Sequence, residues 1–235
     1  MSVVLPARAC LLLDLDGTLI DIAPTPDSVV VPVDLPGVLI ALRDRMAGAL
    51  AIISGRPISQ IDGLLPDVAT AVAGEHGYAV RHLRGGAIDC ADVVTVPEAF
   101  LAEAAAVVAR YPGAILERKA RGFVLHFRLA PEAGPVFAAA LSAMLENWPH
   151  HRVASAHMAW EVKPVGIDKG RAVREIMARA PFAGRVPVFI GDDATDEDGM
   201  AVARAMGGLG LRVQEHFLDA AGVRRWLAGL ARSAV

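Results

Sequence analysis

Residues 11–19, Leu-Leu-Leu-Asp-Leu-Asp-Gly-Thr-Leu, constrain this 235-residue chain more than any other stretch. Apolar residues run up to two carboxylates spaced i, i+2, and a Gly-Thr pair then breaks the pattern. A short unbroken apolar run is how a strand buried on both faces reads, and such strands belong to parallel sheets covered by helices. Ligands of open α/β sheets gather beyond the carboxyl ends of the strands, which is where Asp14 and Asp16 fall. Carboxylates this close repel unless a cation keeps them ionised. Mg²⁺, hard and oxygen-seeking, fits that need. An ionised Asp is a nucleophile towards phosphorus, and a second carboxyl two residues on can pass protons. The same residues also read as a strand ending in an Asp-Gly turn, so the rest of the chain has to supply the other parts of a site.

The size suits one large domain or a domain with a smaller insert. Although 54% of the residues are apolar, the longest stretch without a charge, 133–145, has 13 residues, short of the roughly 18 to 20 that cross a bilayer. The apolar run after Arg8 is interrupted at Asp14, so no signal peptide is expected and a cytoplasmic protein is inferred. Cys10 and Cys90 have neither metal-ligand spacing nor a disulfide framework, and both are expected as small buried hydrophobes in a reducing compartment. A net charge of -3 gives no basic footprint for nucleic acid. Neither a membrane nor a nucleic acid is an expected partner; a small-molecule substrate and a monomer are.

Loop 22–32 carries Pro24, Pro26 and Pro32 over the sheet edge. Val38, Leu39, Leu42 and Met46 predict a helix over 36–46. An apolar strand over 50–53 then ends in Ser54-Gly55-Arg56-Pro57. A hydroxyl, a cation and a helix start suit phosphate, and a plain strand-to-helix turn reads equally well. A strand at 68–73 leads to Gly74-Glu75-His76-Gly77 and a short strand at 78–80. Such β-then-α order implies right-handed crossovers in a parallel sheet.

The pattern changes after Asp92. A helix over 98–110, a hairpin of 115–119 and 123–128 over Ala120-Arg121-Gly122, a helix over 135–146 and strands at 152–155 and 159–163 read as an α+β insert. We place the insert at 93–159, within a core of 1–92 and 160–235. Period-two alternation puts Glu117 with Lys119, His126 with Arg128, and Glu161 with Lys163 on one face. That face is either solvated surface or a binding face.

The core resumes at Gly166-Ile167-Asp168-Lys169-Gly170. Asp168 is placed to cap a helix running to about 180, and Lys169 in its first turn is electrostatically out of place unless it meets an anion. A strand at 186–190 delivers Asp192 and Asp193, with Thr195, Asp196, Glu197 and Asp198 following. Glu197 and Asp198 are ordinary helix-start acids, whereas Asp192 and Asp193 stand where a metal is expected. A strand at 210–213 and a helix at 219–230 close the chain. Four strand ends thus carry Asp14/Asp16/Thr18, Ser54, Lys169 and Asp192/Asp193/Asp196, all on one rim.

This order resembles the haloacid dehalogenase superfamily, and within it the trehalose-6-phosphate phosphatase family in its bacterial form. The finer resemblance rests on Ile22-Ala23-Pro24-Thr25-Pro26-Asp27 after the first motif, Ser54-Gly55-Arg56, and Gly74-Glu75-His76-Gly77. Glu117-Arg118-Lys119 with His126-Phe127-Arg128, Glu161-Val162-Lys163-Pro164, and the run 191–197 complete it; Phe127 stands where the family often has Tyr. The resemblance implies a Rossmann-like core under a mobile α+β cap, with Glu117, Lys119 and Glu161 bonding sugar hydroxyls; Arg128 is a further candidate substrate contact, and His76 reads either as a structural histidine or as another such contact. It implies Mg²⁺ at Asp14, the Asp16 carbonyl and Asp192, with Asp193 or Asp196 assisting. Asp14 is expected as nucleophile and Asp16 as acid and base. Thr18, Ser54, Arg56 and Lys169 are expected around the phosphate, with Lys163 as a rival to Lys169. Phosphatases for sucrose phosphate or mannosyl-phosphoglycerate, and a silent sugar-phosphate-binding module, remain alternatives.

Overall fold

The computed structural model describes residues 3–23, 28–119, 121–156 and 158–232. Pro24, Thr25, Pro26 and Asp27 of the proline loop and Ala120 of the expected hairpin turn lie outside them. The chain divides into two compact units, 1–91 with 168–235, and 92–167.

The first unit is built on a seven-stranded sheet. Its strands are β1 (Ala9–Leu13), β2 (Leu50–Ile53), β3 (Ala71–Gly74), β4 (Ala79–Arg81), β5 (Ile88–Cys90), β10 (Val186–Gly191) and β11 (Leu209–Arg212), in the order β11-β10-β1-β2-β3-β4-β5. The five strands from β11 to β3 are parallel. β4 and β5 run antiparallel at the far edge. Burial on both faces explains the unbroken apolar runs. On β1, Leu11 and Leu13 pack into one core layer and Cys10 and Leu12 into the other. Helices α1 (Leu35–Arg45) and α8 (Ala220–Arg232) cover the first side. The other side packs on α5 (Lys169–Met177) and α6 (Glu197–Ala205). A shorter helix, α2 (Ile58–Leu64), follows β2, and α7 (Val213–His216) follows β11.

The expected parallel sheet is present and is extended at one edge by antiparallel β4 and β5. One expectation is corrected at β5, three exposed residues with no apolar alternation to read. Cys90 lies on that strand and is exposed, whereas Cys10 is buried, and burial pushes its thiol up to about 12. Among the described residues, no helix is long and apolar enough to cross a membrane.

The second unit is a four-stranded antiparallel sheet of β6 (Ile115–Arg118), β7 (Phe123–His126), β8 (His151–Ala156) and β9 (Ala159–Pro164), in the order β6-β7-β9-β8. Its core joins this sheet to α3 (Glu98–Val108) and α4 (Ala133–Leu145) through Phe100, Phe123, Leu125, Phe137, Leu141 and Val162. The Phe100 and Phe123 rings meet edge to face at 5.2 Å. Because β9 pairs with β8 along its whole length and with β7 over 159–162, residues 160–167 belong to this unit and not to the core assigned from the sequence.

Candidate active site

Asp14 continues the β1–β10 ladder, its N–H donating to the Ile190 carbonyl at 3.0 Å, so the carboxylate leaves the sheet edge from a fixed backbone. The chain then closes into a tight loop in which the Leu15 carbonyl accepts from the N–H groups of Leu19 and Ile20 at 2.8 and 3.0 Å. Leu15, Leu19 and Ile20 are buried beneath it. Gly17 has φ +78°, and a Cβ there would sit 2.2 Å from Asp192 Oδ2. Both the left-handed backbone and the close approach therefore require glycine.

Lys169 is 3% exposed, and its Nζ lies 2.6 Å from Asp14 Oδ1 and 2.6 Å from Asp196 Oδ1. It does not come from a parallel strand end, as the sequence suggested. It opens α5 directly after the chain returns from the second unit, where Asp168 Oδ1 caps the helix by accepting the Arg171 N–H at 2.8 Å. The anion that offsets a cation in this first turn is the carboxylate pair itself. Lys163, its rival, instead lies in β9, 3.5 Å from Glu161.

Asp14, Asp192 and Asp196 can each offer one oxygen to a common point, with these oxygens within 4.8 Å of one another. Asp196 is fully buried and heavily committed: Oδ2 accepts the N–H groups of Asp192 and Asp193 at 3.0 and 3.1 Å, and Oδ1 faces Lys169. Asp193 is a cap, its Oδ1 accepting from the Thr195 N–H and hydroxyl and the Asp196 N–H. The side chain of Asp193, expected to assist at the metal, thus falls outside the acidic trio, as does that of Asp16, whose backbone carbonyl was the atom expected there. Asp16 is turned aside by a partner and Asp193 is used up by its helix start.

Burial pushes Asp14 up to about 6 against the pull of Lys169. Burial, then Asp196 and Asp193, push Asp192 up to about 6. Burial, then Asp14, push Asp196 up to about 7. For Lys169, burial opposes the charge, but Asp14 and Asp196 outweigh it and hold the amine protonated. At Asp193 the Thr195 and Asp196 bonds outweigh burial and keep the carboxyl below its ordinary value. Three all-oxygen donors whose ionised forms repel one another and resist burial are the donor chemistry of a hard divalent cation.

One cavity of about 500 Å³ adjoins this cluster, its walls including Asp14, Asp16, Ser54, Arg56, His76 and Lys169. Ser54 Oγ accepts the Arg56 N–H at 3.1 Å. Arg56 was expected at the phosphate; its guanidinium grips Asp16, with Nε to Oδ2 at 2.7 Å and Nη2 to Oδ1 at 2.6 Å. His76 adopts φ 56°, and its ring lies where a Cβ on Gly55 would be, 2.7 Å away. Thr18 is not a wall residue. It is fully buried, with its hydroxyl unpartnered, because the loop anchored by Leu15 and Leu19 turns it inward. Gln60 and Thr195 line the cavity without having been singled out. Gln60 carried no signal beyond standing three residues after Pro57, and Thr195 was hidden inside an acidic run.

In the second unit the register sets Glu117 opposite Val124 and Val124 opposite Glu161. Glu117, His126, Glu161 and Lys163 therefore share the face away from the helices. Lys119 lies just past β6, its amine on Glu117, and His126 Nε2 is 2.8 Å from Glu117. Bonds from Lys119 and His126 lower the Glu117 carboxyl. Arg128, expected on this face, lies past the end of β7 at His126 and is exposed in a turn, where period-two alternation no longer assigns its face.

A parallel sheet with a nucleophile-grade aspartate, a buried lysine and an acidic trio at its carboxyl edge defines a hydrolase of the haloacid dehalogenase type. Residues 12–217 match the trehalose-phosphatase family model. The chain is 38% identical over 213 residues to the trehalose-6-phosphate phosphatase of Escherichia coli strain K12, covering 89% of this chain and 79% of that one. It is 35% identical over 204 residues to a probable trehalose-phosphate phosphatase of Sinorhizobium fredii, covering 86% and 77%. The solved trehalose-6-phosphate phosphatase of Aspergillus fumigatus superposes with a TM-score of 0.74 at 25% identity, covering 97% and 94%. The chain belongs to the trehalose-phosphatase family, a family of phosphoric monoester hydrolases.

Proposed function

We propose that this protein is a Mg²⁺-dependent phosphatase that releases trehalose and phosphate from trehalose 6-phosphate, the closing step of trehalose synthesis. The observation that carries the chemistry is the meeting of Asp14, Lys169 and Asp196 at 2.6 Å beside Asp192, at the mouth of one cavity. Asp14 and Asp192 are the members of the trio left to hold Mg²⁺, with Asp196 fixing Lys169 and the loop. When bound, Mg²⁺ would neutralise phosphate charge and keep Asp14 ionised.

Asp14, on its rigid strand end, attacks phosphorus in line and takes the phosphoryl group as an aspartyl-phosphate. Asp16 gives a proton to the departing sugar oxygen, then takes one from the water that hydrolyses the intermediate. Lys169 and the Ser54 hydroxyl hold non-bridging oxygens where negative charge develops. The Glu117–Lys119 pair and Glu161 are assigned to the sugar hydroxyls, supported by the family match and by their shared sheet face. Carboxylates suit that task because a ligand without those hydroxyls leaves them unpaired. A charged sugar substrate and an exposed free thiol at Cys90 support a cytoplasmic setting.

The test is phosphate release from trehalose 6-phosphate, glucose 6-phosphate, sucrose 6-phosphate and a nitrophenyl phosphate, with and without Mg²⁺, using Asp14→Asn as control. Mg²⁺-dependent preference for trehalose 6-phosphate, lost in the variant, is expected. Preference for another sugar phosphate would keep the chemistry and remove the substrate assignment. Binding without turnover would leave a silent module.

A further inference from the structure

Arg56 is fastened by its backbone at both ends. Its N–H donates to Ser54 Oγ at 3.1 Å, and its carbonyl accepts the Glu75 N–H at 3.0 Å, so the loops after β2 and β3 hold it between them. From that base the side chain, 11% exposed, reaches across to the loop after β1 and meets both oxygens of Asp16 with both edges of its fork. Asp16 is 35% exposed and lies beyond the regular strand, so without a partner its carboxylate would sample several rotamers. We propose that Arg56 is a positioning residue for Asp16 rather than a ligand of the substrate phosphate. This rests on the phosphatase reading above, but not on which sugar is hydrolysed.

A carboxylate has about four lone-pair sites, and a two-pronged guanidinium occupies one on each oxygen. One site on each oxygen therefore stays available, in a plane fixed by the fork: one carries the proton that passes to the departing sugar oxygen, and the site so emptied then takes the proton of the attacking water. Such orientation matters because a positioned acid or base contributes about 10²- to 10⁴-fold, and a misplacement of about 1 Å can forfeit much of it. A lysine ammonium, a point charge on a flexible stem, could pair with Asp16 without fixing its plane.

A double-mutant cycle on kcat/KM for the turned-over sugar phosphate tests this. Arg56→Ala is expected to cost about 10²-fold beside intact Asp16, and less than about threefold in the Asp16→Ala background. An equal loss in both backgrounds would mean that Arg56 touches the substrate itself and would overturn the proposal. Across phosphate esters of increasingly good leaving groups, ending at nitrophenyl phosphate, the loss in kcat/KM should shrink as proton donation matters less. A uniform loss would again indicate phosphate contact. Arg56→Lys, which keeps charge and bulk, serves where the alanine variant does not fold; it should retain under about a tenth of the activity, with KM nearly unchanged. Full activity in that variant would also overturn the proposal, whereas recovery of Arg56→Ala by added guanidinium ion would support it. If another ester proves to be the substrate, the cycle is run on that ester, so the two readings fail separately.

Discussion

Lys169 is the residue on which the phosphate end of the site turns. Two carboxylates buried beside it are tolerable because one cation faces both, and removing one partner of such a buried pair leaves the other charge uncompensated. Lys169→Met is expected to destabilise the cation-free protein by about 3 kcal/mol at pH 8. The cost should be much smaller at pH 5, because Asp14 and Asp196, raised to about 6 and about 7, are then largely protonated. Urea unfolding at the two pH values in EDTA checks this; an equal cost at both would refute the coupling. Gly17→Ala should fold but bind Mg²⁺ at least about tenfold more weakly, since its Cβ would meet Asp192 at 2.2 Å and its φ of +78° is strained for alanine. Calorimetric titration with Mg²⁺ reads that directly.

Elements decide which of these residues meet. The start of α5 aims Lys169 at the carboxylates, and Asp168 caps it. Asp168→Ala should cost about 1 kcal/mol of stability, and also activity, whereas a cap remote from the site would cost stability alone. The parallel strands and their acidic ends were legible because strands buried on both faces leave unbroken apolar runs that stop at the site. Three things were not. Strand β5 is exposed and three residues long, so no periodicity marked it. The Arg56–Asp16 pairing joins residues 40 apart in the chain, and only the packing of the β1 and β2 loops brings them together. The division of labour between Asp193 and Asp196 depends on which one turns back to cap a helix, and a run of alternating acids does not encode that. Arg128 shows the converse error, where alternation was carried two residues past the end of a real strand.

At the scale of the whole molecule, the acidic trio links cation binding to pH. A carboxyl whose pKa is raised in the folded state favours folding when protonated. That contribution is complete below about pH 4 and is lost as the pH rises through about 6 to 7. The cation-free protein therefore loses stability from this cluster between pH 5 and pH 8. A divalent cation, which takes the ionised set, returns it. The stabilisation given by Mg²⁺ over EDTA, read from urea unfolding, should be small at pH 5 and grow by pH 8, approaching about 2.7 kcal/mol at a hundredfold excess over Kd. A gain independent of pH would argue against Asp14 and Asp192 as the ligands of the cation. The second unit has its own aromatic core, so residues 92–167 made alone should give a cooperative thermal transition by near-ultraviolet circular dichroism.

The central strand β1 ends at Leu13, yet its parallel neighbour β10 begins only at Val186. At about 5 to 20 residues per second, a ribosome needs roughly 10 to 35 s to bring the second strand into being after the first. Throughout that interval one edge of this wholly apolar strand lacks its partner, and the aspartate at its tip lacks Asp192 and Asp196. A nascent chain of this design therefore cannot assemble its site until the residues of β10 and the acidic loop after it have emerged, so the central strand waits, exposed to mispairing, for a partner 173 residues further on.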